Sequence, residues 1–234
     1  MLASPDSTTG DIARFPQTIR VFQRLRIDFC CDGDRTLGDL CRERQLSFEH
    51  VAAALNTAIA ALPLHRHDWS DRPLADLTAH IVEAFHEPLR QELPRLHAMA
   101  ARVQRHSDSY RPVLAVVLWK VERFHAAFEP HMAIAERELF LIVGRLEAGH
   151  GTEDDRSQFG RLRAVMESDH DEAGRLLRSL RNVTDSYEPP AGACATLRGL
   201  YQGLRELEPL IQLHIHLENN VLFPRAAALA ETRR

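Results

Sequence analysis

Two stretches of this chain repeat each other's pattern. His131 is followed eight and nine residues on by Leu139-Phe140, and His214 is followed at the same spacing by Leu222-Phe223. The second stretch, His214-Ile215-His216-Leu217-Glu218-Asn219-Asn220-Val221-Leu222-Phe223-Pro224, also sets an imidazole and a carboxylate four residues apart, at His214 and Glu218. On a helix, positions i and i+4 share one face, so both side chains can aim at one inward spot. Two such helices facing each other across a bundle would build a metal site, which asks for long helices set side by side.

The rest of the chain fits that demand. Long runs of Ala, Leu, Arg and Glu favour helix over strand, and no strand pattern of comparable strength is present. Four long helices are predicted. The first runs over about 74–106, with Leu77, Ile81, Phe85 and Leu89 keeping a four-residue step and Pro88 and Pro94 expected to bend it. The second spans about 113–146, contains Pro130 and is closed by Gly149 to Gly151. The third runs from Asp154 or Asp155 to about Val183, and the fourth covers about 194–230 with a bend at Pro224. Shorter helices precede them: one over Thr18 to Leu25, one from Thr36 to about Arg44, and one capped by Ser47 and running to about Ala61. The predicted fold class is all-α, an up-down four-helix bundle preceded by a small helical N-terminal domain. The expected divisions are a disordered tail over 1–14, a helical domain over 15–62, a linker over 63–73 and the bundle over 74–230.

Charge is balanced, with 29 basic against 33 acidic residues, which argues against a nucleic-acid or membrane partner found by bulk electrostatics. No apolar run approaches the ~20 residues of a membrane span. Met1 to Gly10 is polar and lacks the apolar core of a signal peptide, so a cytoplasmic protein is expected. Adjacent Cys30 and Cys31, with Cys41 and Cys194, make a poor disulfide framework and read as reduced thiols.

Of the 13 histidines, His86, His131, His170 and His214 fall one on each long helix. Iron with open positions takes imidazole and carboxylate, and four helices can each project one ligand inward at similar depth. Glu218 is placed to bridge two such metals. His125 with Glu129 is a rival i, i+4 pair on the second helix, and His106 stays open as a further candidate. His65, His67, His80, His97, His150 and His216 read as surface or linker groups; His216 lies roughly 200° around the helix from His214.

With these residues in view, the chain resembles the RIC family (repair of iron centres, also the YtfE/ScdA family) from about Phe15 to Arg225. Thr18-Ile19-Arg20-Val21-Phe22 with Ile27-Asp28-Phe29-Cys30-Cys31, and then Leu37 to Cys41, match that family's N-terminal signature. Phe85-His86-Glu87-Pro88-Leu89-Arg90-Gln91-Glu92-Leu93-Pro94, His170-Asp171-Glu172-Ala173-Gly174 and His214 to Pro224 match its ligand helices. The resemblance implies an ScdA-like N-terminal domain and a hemerythrin-like bundle in which four histidines and two glutamates hold non-haem di-iron. Carried over by position, the ligands are His86, His131, His170, His214 and Glu218. The sixth is missing: the family's second helix reads His-x-x-x-Glu-Glu, and here Ala135 stands in the first glutamate's place. Glu136 comes one residue late, about 100° off that face. Glu138 lies on the right face a turn further along and is the candidate to reach back toward the site. The proline after Leu139-Phe140 is also absent, with Leu141 there instead. The family's Cys-Cys-Gly-Gly is Cys30-Cys31-Asp32-Gly33.

The function this implies is repair of iron–sulfur clusters under nitrosative or oxidative stress, an iron-donor role rather than turnover of a small substrate. Its partners would be iron–sulfur cluster proteins, with the chain a monomer or homodimer. Cys30 and Cys31 would hold transferred iron or relay electrons, or else be small buried hydrophobes. Two alternatives stand beside it: a hemerythrin-like sensor or carrier of O2 or NO, and a bundle with a degenerate site that serves only as an interaction module.

Overall fold

The computed structural model describes residues 3–30, 33–60, 69, 71–106 and 110–232. Every regular element among them is a helix, as the sequence pattern predicts. The short ones are α1 (Thr9–Ala13), α2 (Pro16–Leu25), α3 (Leu37–Glu43) and α4 (Phe48–Ala60). The long ones follow as α5 (Leu74–Ile81), α6 (Glu87–His106), α7 (Arg111–Ile134), α8 (Phe140–Glu147), α9 (Glu153–Val183), α10 (Ala195–Leu217) and α11 (Phe223–Glu231). None of these helices is long and apolar enough to cross a membrane.

Three of the four long helices are interrupted by a five-residue π-helical turn, π1 (Val82–His86), π2 (Ala135–Leu139) and π3 (Glu218–Leu222). In each, the next residue donates its N–H five positions back: Glu87 to Val82, Phe140 to Ala135 and Phe223 to Glu218. Such turns are rare and gather at functional sites. The sequence predicts proline bends here, and Pro88 and Pro224 do sit just beyond π1 and π3. Yet π2 forms with Leu141 in the corresponding place, so a following proline is not what the turn requires. The repeat between the second and fourth helices is thus structural as well: both π2 and π3 open four residues after a histidine.

The chain forms two compact units, Met1–Leu77 with Gln212–Arg234, and Thr78–Ile211. The second unit is a bundle of four helical rods, over 78–106, 111–147, 153–183 and 195–211. Its core follows alternating steps of three and four. Leu89, Leu93, Leu96, Ala100 and Val103 are buried on α6; Leu114, Val117, Val121, Phe124 and Phe128 on α7; Leu197, Leu200, Leu204, Leu207 and Ile211 on α10. That spacing keeps one stripe of each rod facing inward. At Gly203 a Cβ would meet Leu96 Cδ2 at 2.5 Å, so α10 and α6 approach where no side chain fits between them. The rod carrying α9 opens with a capping box: Thr152 Oγ1 accepts from Asp155 N, and Asp155 Oδ2 accepts from Thr152 N. Arg145 also donates to Asp155, and the two hydrogen-bonding partners hold that carboxyl well below the usual carboxylate range.

In the first unit, residues 7–10 run beside 33–37. Thr9 N donates to Arg35 O, Leu37 N to Ser7 O and Gly10 N to Gly33 O, around an isolated bridge between Thr8 and Thr36. This corrects the expectation of a disordered tail: backbone pairing and the burial of Ile12 and Ala13 fix the segment. The core holds Phe22 and Phe29, stacked 5.6 Å apart, with Ile27, Leu37, Leu40 and Leu55. The expected linker falls mostly outside the described residues, but Trp69 and Arg72 offer their carbonyls to Arg225.

His216, read from the sequence as a surface group, is buried here. Its ring packs edge-on to Phe29 at 5.7 Å and Asn220 Nδ2 donates to its Nδ1 at 3.2 Å. Burial pushes its pKa down to about 4, so the ring is neutral near pH 7. The helix buries the His214 face and the opposite face alike. Asn220, one turn on, donates to the carbonyls of Phe29 and Cys30, and Asn219 also donates to Cys30 O. A Cβ at Gly33 would meet Asn220 Oδ1 at 2.2 Å, which accounts for a glycine at that place in the loop.

Two outcomes follow. Gly33→Ala should cost about 1–3 kcal/mol, the range for overpacking, and most of that cost should vanish when Asn220→Ala is already present, measured as a denaturation double-mutant cycle. Because Asp155's carboxyl is depressed, its stabilisation is in place above the ordinary value of about 4 and fades as pH falls below it. Asp155→Asn should therefore lower Tm at pH 7, with the gap to the parent closing toward pH 2.

Candidate metal centre

Each of the four candidate histidines is buried, as is Glu218: His86, His170, His214 and Glu218 have no exposed surface and His131 has 1%. Burying ionisable groups is costly unless partners replace the lost water, so five in one chain ask for a common explanation. His131 Nε2 and His170 Nε2 lie 3.3 Å apart, and His214 Nε2 lies 3.4 Å from Glu218 Oε1. His131, His170, His214 and Glu218 form a group whose donor atoms all fall within 4.8 Å of one another.

That donor set suits a metal ion. Bonds of about 2 Å from imidazole nitrogen or carboxylate oxygen put opposite donors roughly 4 Å apart, so the four need close by less than an ångström. Three imidazoles with one carboxylate also match the ligand chemistry of non-haem iron.

Two of the imidazoles, His131 and His86, meet a carboxylate at Nδ1. His131 Nδ1 lies 3.3 Å from Asp169 Oδ2, which leaves Nε2 for the cluster. His86 is not one of the four. Its ring stacks on Phe140 with centroids 5.9 Å apart, and its Nδ1 lies 2.7 Å from Glu136 Oε1. Arg90 donates to the same oxygen at 2.6 Å. Burial alone would raise the Glu136 carboxyl, but the hydrogen bonds from Arg90 and His86 outweigh it and hold it below the ordinary value.

The remaining candidates lie elsewhere. Glu138 does not join the group: it is exposed and accepts from Gln158 Nε2 at 3.2 Å. Ala135, at the family's ligand position, has no exposed surface. His106 is exposed, bonded to the Arg102 carbonyl. His125 packs 6.1 Å from His97, and Glu129 is exposed beside Arg90. Cys30 is buried, its thiol donating to Asp28 Oδ1 at 3.2 Å; Cys31 lies outside the described residues. Burial pushes the Cys41 thiol up. Sequence reasoning missed Asp169, Glu136 and Arg90 as outer groups. The one signal for them was adjacency, Asp169 to His170 and Glu136 to the empty position 135, and adjacency on a helix points away from a neighbour's face.

The comparisons agree with this geometry. The family model ScdA_N, described as a domain of unknown function (DUF542), matches residues 5–59, and the hemerythrin HHE cation binding domain matches residues 77–226. The iron-sulfur cluster repair protein YtfE of Pectobacterium atrosepticum is 35% identical over 226 residues, 96% of this chain and 98% of that protein. Its namesake from Cronobacter sakazakii is 37% identical over 230 residues, 97% of this chain and 99% of that protein. With a buried histidine and carboxylate cluster inside the cation-binding match, and likeness running nearly end to end, the chain belongs to the hemerythrin HHE cation-binding family and, within it, to the YtfE family.

Proposed function

We propose that this protein holds non-haem iron in its bundle and gives it to iron–sulfur proteins whose clusters have been damaged by nitric oxide or peroxide. The observation that carries the reading is the buried group of His131, His170, His214 and Glu218, in a chain similar over nearly its full length to proteins named for iron–sulfur cluster repair. Iron here is cargo. Imidazole and carboxylate bind it through exchangeable bonds, without the thiolates that would hold it more tightly, and that suits a donor.

The division of labour follows the proposed domain limits: an ScdA-like segment over 15–62, a linker over 63–73 and the bundle over 74–230, in a cytoplasmic protein. Cys30 and Cys31 would meet the recipient or take the iron in passing. The Cys30 carbonyl is already tied to Asn219 and Asn220, on the turn that Glu218 opens, so thiol loop and carboxylate are joined by two residues of one helix.

The number of irons follows from charge. Two divalent ions about 3.5–4 Å apart repel four times as strongly as two unit charges at that distance. Bridging carboxylates offset this. With Ala135 in place of one glutamate, the cluster keeps one carboxylate for that task. His131, His170, His214 and Glu218 would hold one ion firmly, and His86 would serve a second, weaker position.

Anaerobically purified protein should contain close to one tightly held iron per chain, rising toward two in Ala135→Glu. Two tightly held irons in the parent would overturn the one-carboxylate argument, and no iron in either would leave an interaction module. Iron-loaded protein should restore a nitric-oxide-damaged cluster enzyme; loading without restoration, but with an optical band on exposure to O2 or NO, would point to a sensor or carrier. Metal at about 100 times its Kd stabilises a folded chain by about 2.7 kcal/mol. Glu218→Ala should lose most of that gain, read as the Tm rise on adding Fe2+ to metal-free protein.

A further inference from the structure

Cys30 is held at both of its peptide groups. Its N–H donates to Asp28 Oδ1 at 3.1 Å, and its carbonyl accepts from Asn220 Nδ2 at 3.3 Å and from Asn219 Nδ2 at 3.4 Å. Asn220 Nδ2 also donates to the Phe29 carbonyl at 3.2 Å and to His216 Nδ1 at 3.2 Å. Three acceptors thus surround one amide nitrogen, which fixes the orientation of the side chain: turned the other way, it would set an oxygen lone pair against all three. Its Oδ1 lies where Gly10 and Gly33 meet. A Cβ at Gly10 would stand 3.0 Å from that oxygen and 2.8 Å from Gly33 O, and one at Gly33 only 2.2 Å from the same amide oxygen. The backbone bond from Gly10 N to Gly33 O, at 2.7 Å, holds the two glycines together beside it.

The segment so held carries a thiol. Cys30 is buried and its Sγ donates to Asp28 Oδ1 at 3.2 Å. With its backbone fixed from both sides, the thiol swings only about its own side-chain bond. Asn220 stands in π3, the turn that Glu218 opens and that Phe223 N closes onto Glu218 O. We infer that Asn220 is the positioning residue of the thiol segment: its amide sets where Cys30 stands relative to the turn that carries Glu218. It does so without joining the buried group of His131, His170, His214 and Glu218. The role asks for this amide. An aspartate has the same shape but would bring oxygen lone pairs to the two carbonyls, and a glutamine's extra methylene would drive its oxygen into the glycine backbone. Loading and delivery then depend on different residues of one turn, Glu218 for holding iron and Asn220 for presenting the thiol that receives it.

The inference rests on the reading of Cys30 as a delivery thiol, and the test separates the two. The first readout is the rate at which iodoacetamide alkylates Cys30 in the metal-free full-length chain, followed by peptide mass spectrometry. Buried Cys41 and exposed Cys194 serve as references in the same digest. A buried thiol reacts through local opening, so Asn220→Ala and the isosteric Asn220→Asp should each raise the Cys30 rate about 10-fold, with Cys41 and Cys194 unchanged. An unchanged Cys30 rate in both variants would overturn the inference. So would a rise in Asn220→Ala alone, since packing and not the N–H groups would then hold the segment. A Cys41 rate rising in step with that of Cys30 would overturn it too, because Asn220 would then support the whole unit. The second readout is Co2+ binding by visible absorption, together with iron delivery to a nitric-oxide-damaged cluster enzyme. Asn220→Asp should bind Co2+ as the parent does and deliver iron about 10-fold more slowly, in step with the loosened segment. Co2+ binding weakened as far as in Glu218→Ala would overturn the separation of loading from delivery. Delivery at the parent rate from a variant whose Cys30 alkylation has changed would remove Cys30 from delivery, while the alkylation rates still establish what Asn220 holds.

Discussion

Glu218 is a carboxylate with no exposed surface, one helical turn from a histidine that has none either. Taking such a charge out of water is expensive unless cations or hydrogen-bond donors replace the water. A metal ion held together with the three imidazole nitrogens that lie within 4.8 Å would supply that replacement. The four-helix architecture serves this need. Rods with a steady three-and-four repeat keep their axes close, so side chains from different rods can meet at one depth without loops entering the core.

The helices and the buried group of His131, His170, His214 and Glu218 were legible because both depend on short-range periodicity. Positions i, i+3 and i+4 share a face whatever lies across from them, so the apolar stripes and the His214/Glu218 pair could be read along one strand of sequence. The family likeness of the flanking residues then selected one histidine per rod. What could not be read depends on what lies across. His216 is about half a turn from His214 and belongs outside if the bundle is the whole protein; it is inside because residues 13–30 cover that face of the helix. Residues 3–14 look largely polar one by one, and their order comes from backbone bonds to 33–38, which carry no side-chain signature. Glu138 looked well placed on an ideal helix, but the π turn it occupies is not ideal, and it ended on Gln158.

The comparison of positions 135 and 136 shows how much one residue decides. On a regular rod a carboxylate at 135 would share the face of His131, and one at 136 would be lost to that face. Here Ala135 fills the buried position without charge, while Glu136 is taken up by Arg90 and His86 from the neighbouring rod. The negative charge is thus held by His86 and Arg90 and does not enter the group of His131, His170, His214 and Glu218.

The π turns bear on how chains of this kind can differ in length. A turn closed by an i to i−5 bond is an α-helix carrying one extra residue, and the wider turn absorbs that residue so that the rod beyond it keeps the phase of a rod one residue shorter. Removing a single residue from Val82–His86, Ala135–Leu139 or Glu218–Leu222 would leave a regular helix whose apolar stripes on the two sides of the turn stay in phase, while the turn itself, with His86, Ala135 or Glu218 in it, would be lost. An alignment gap falling there marks a changed centre even where every ligand letter is retained.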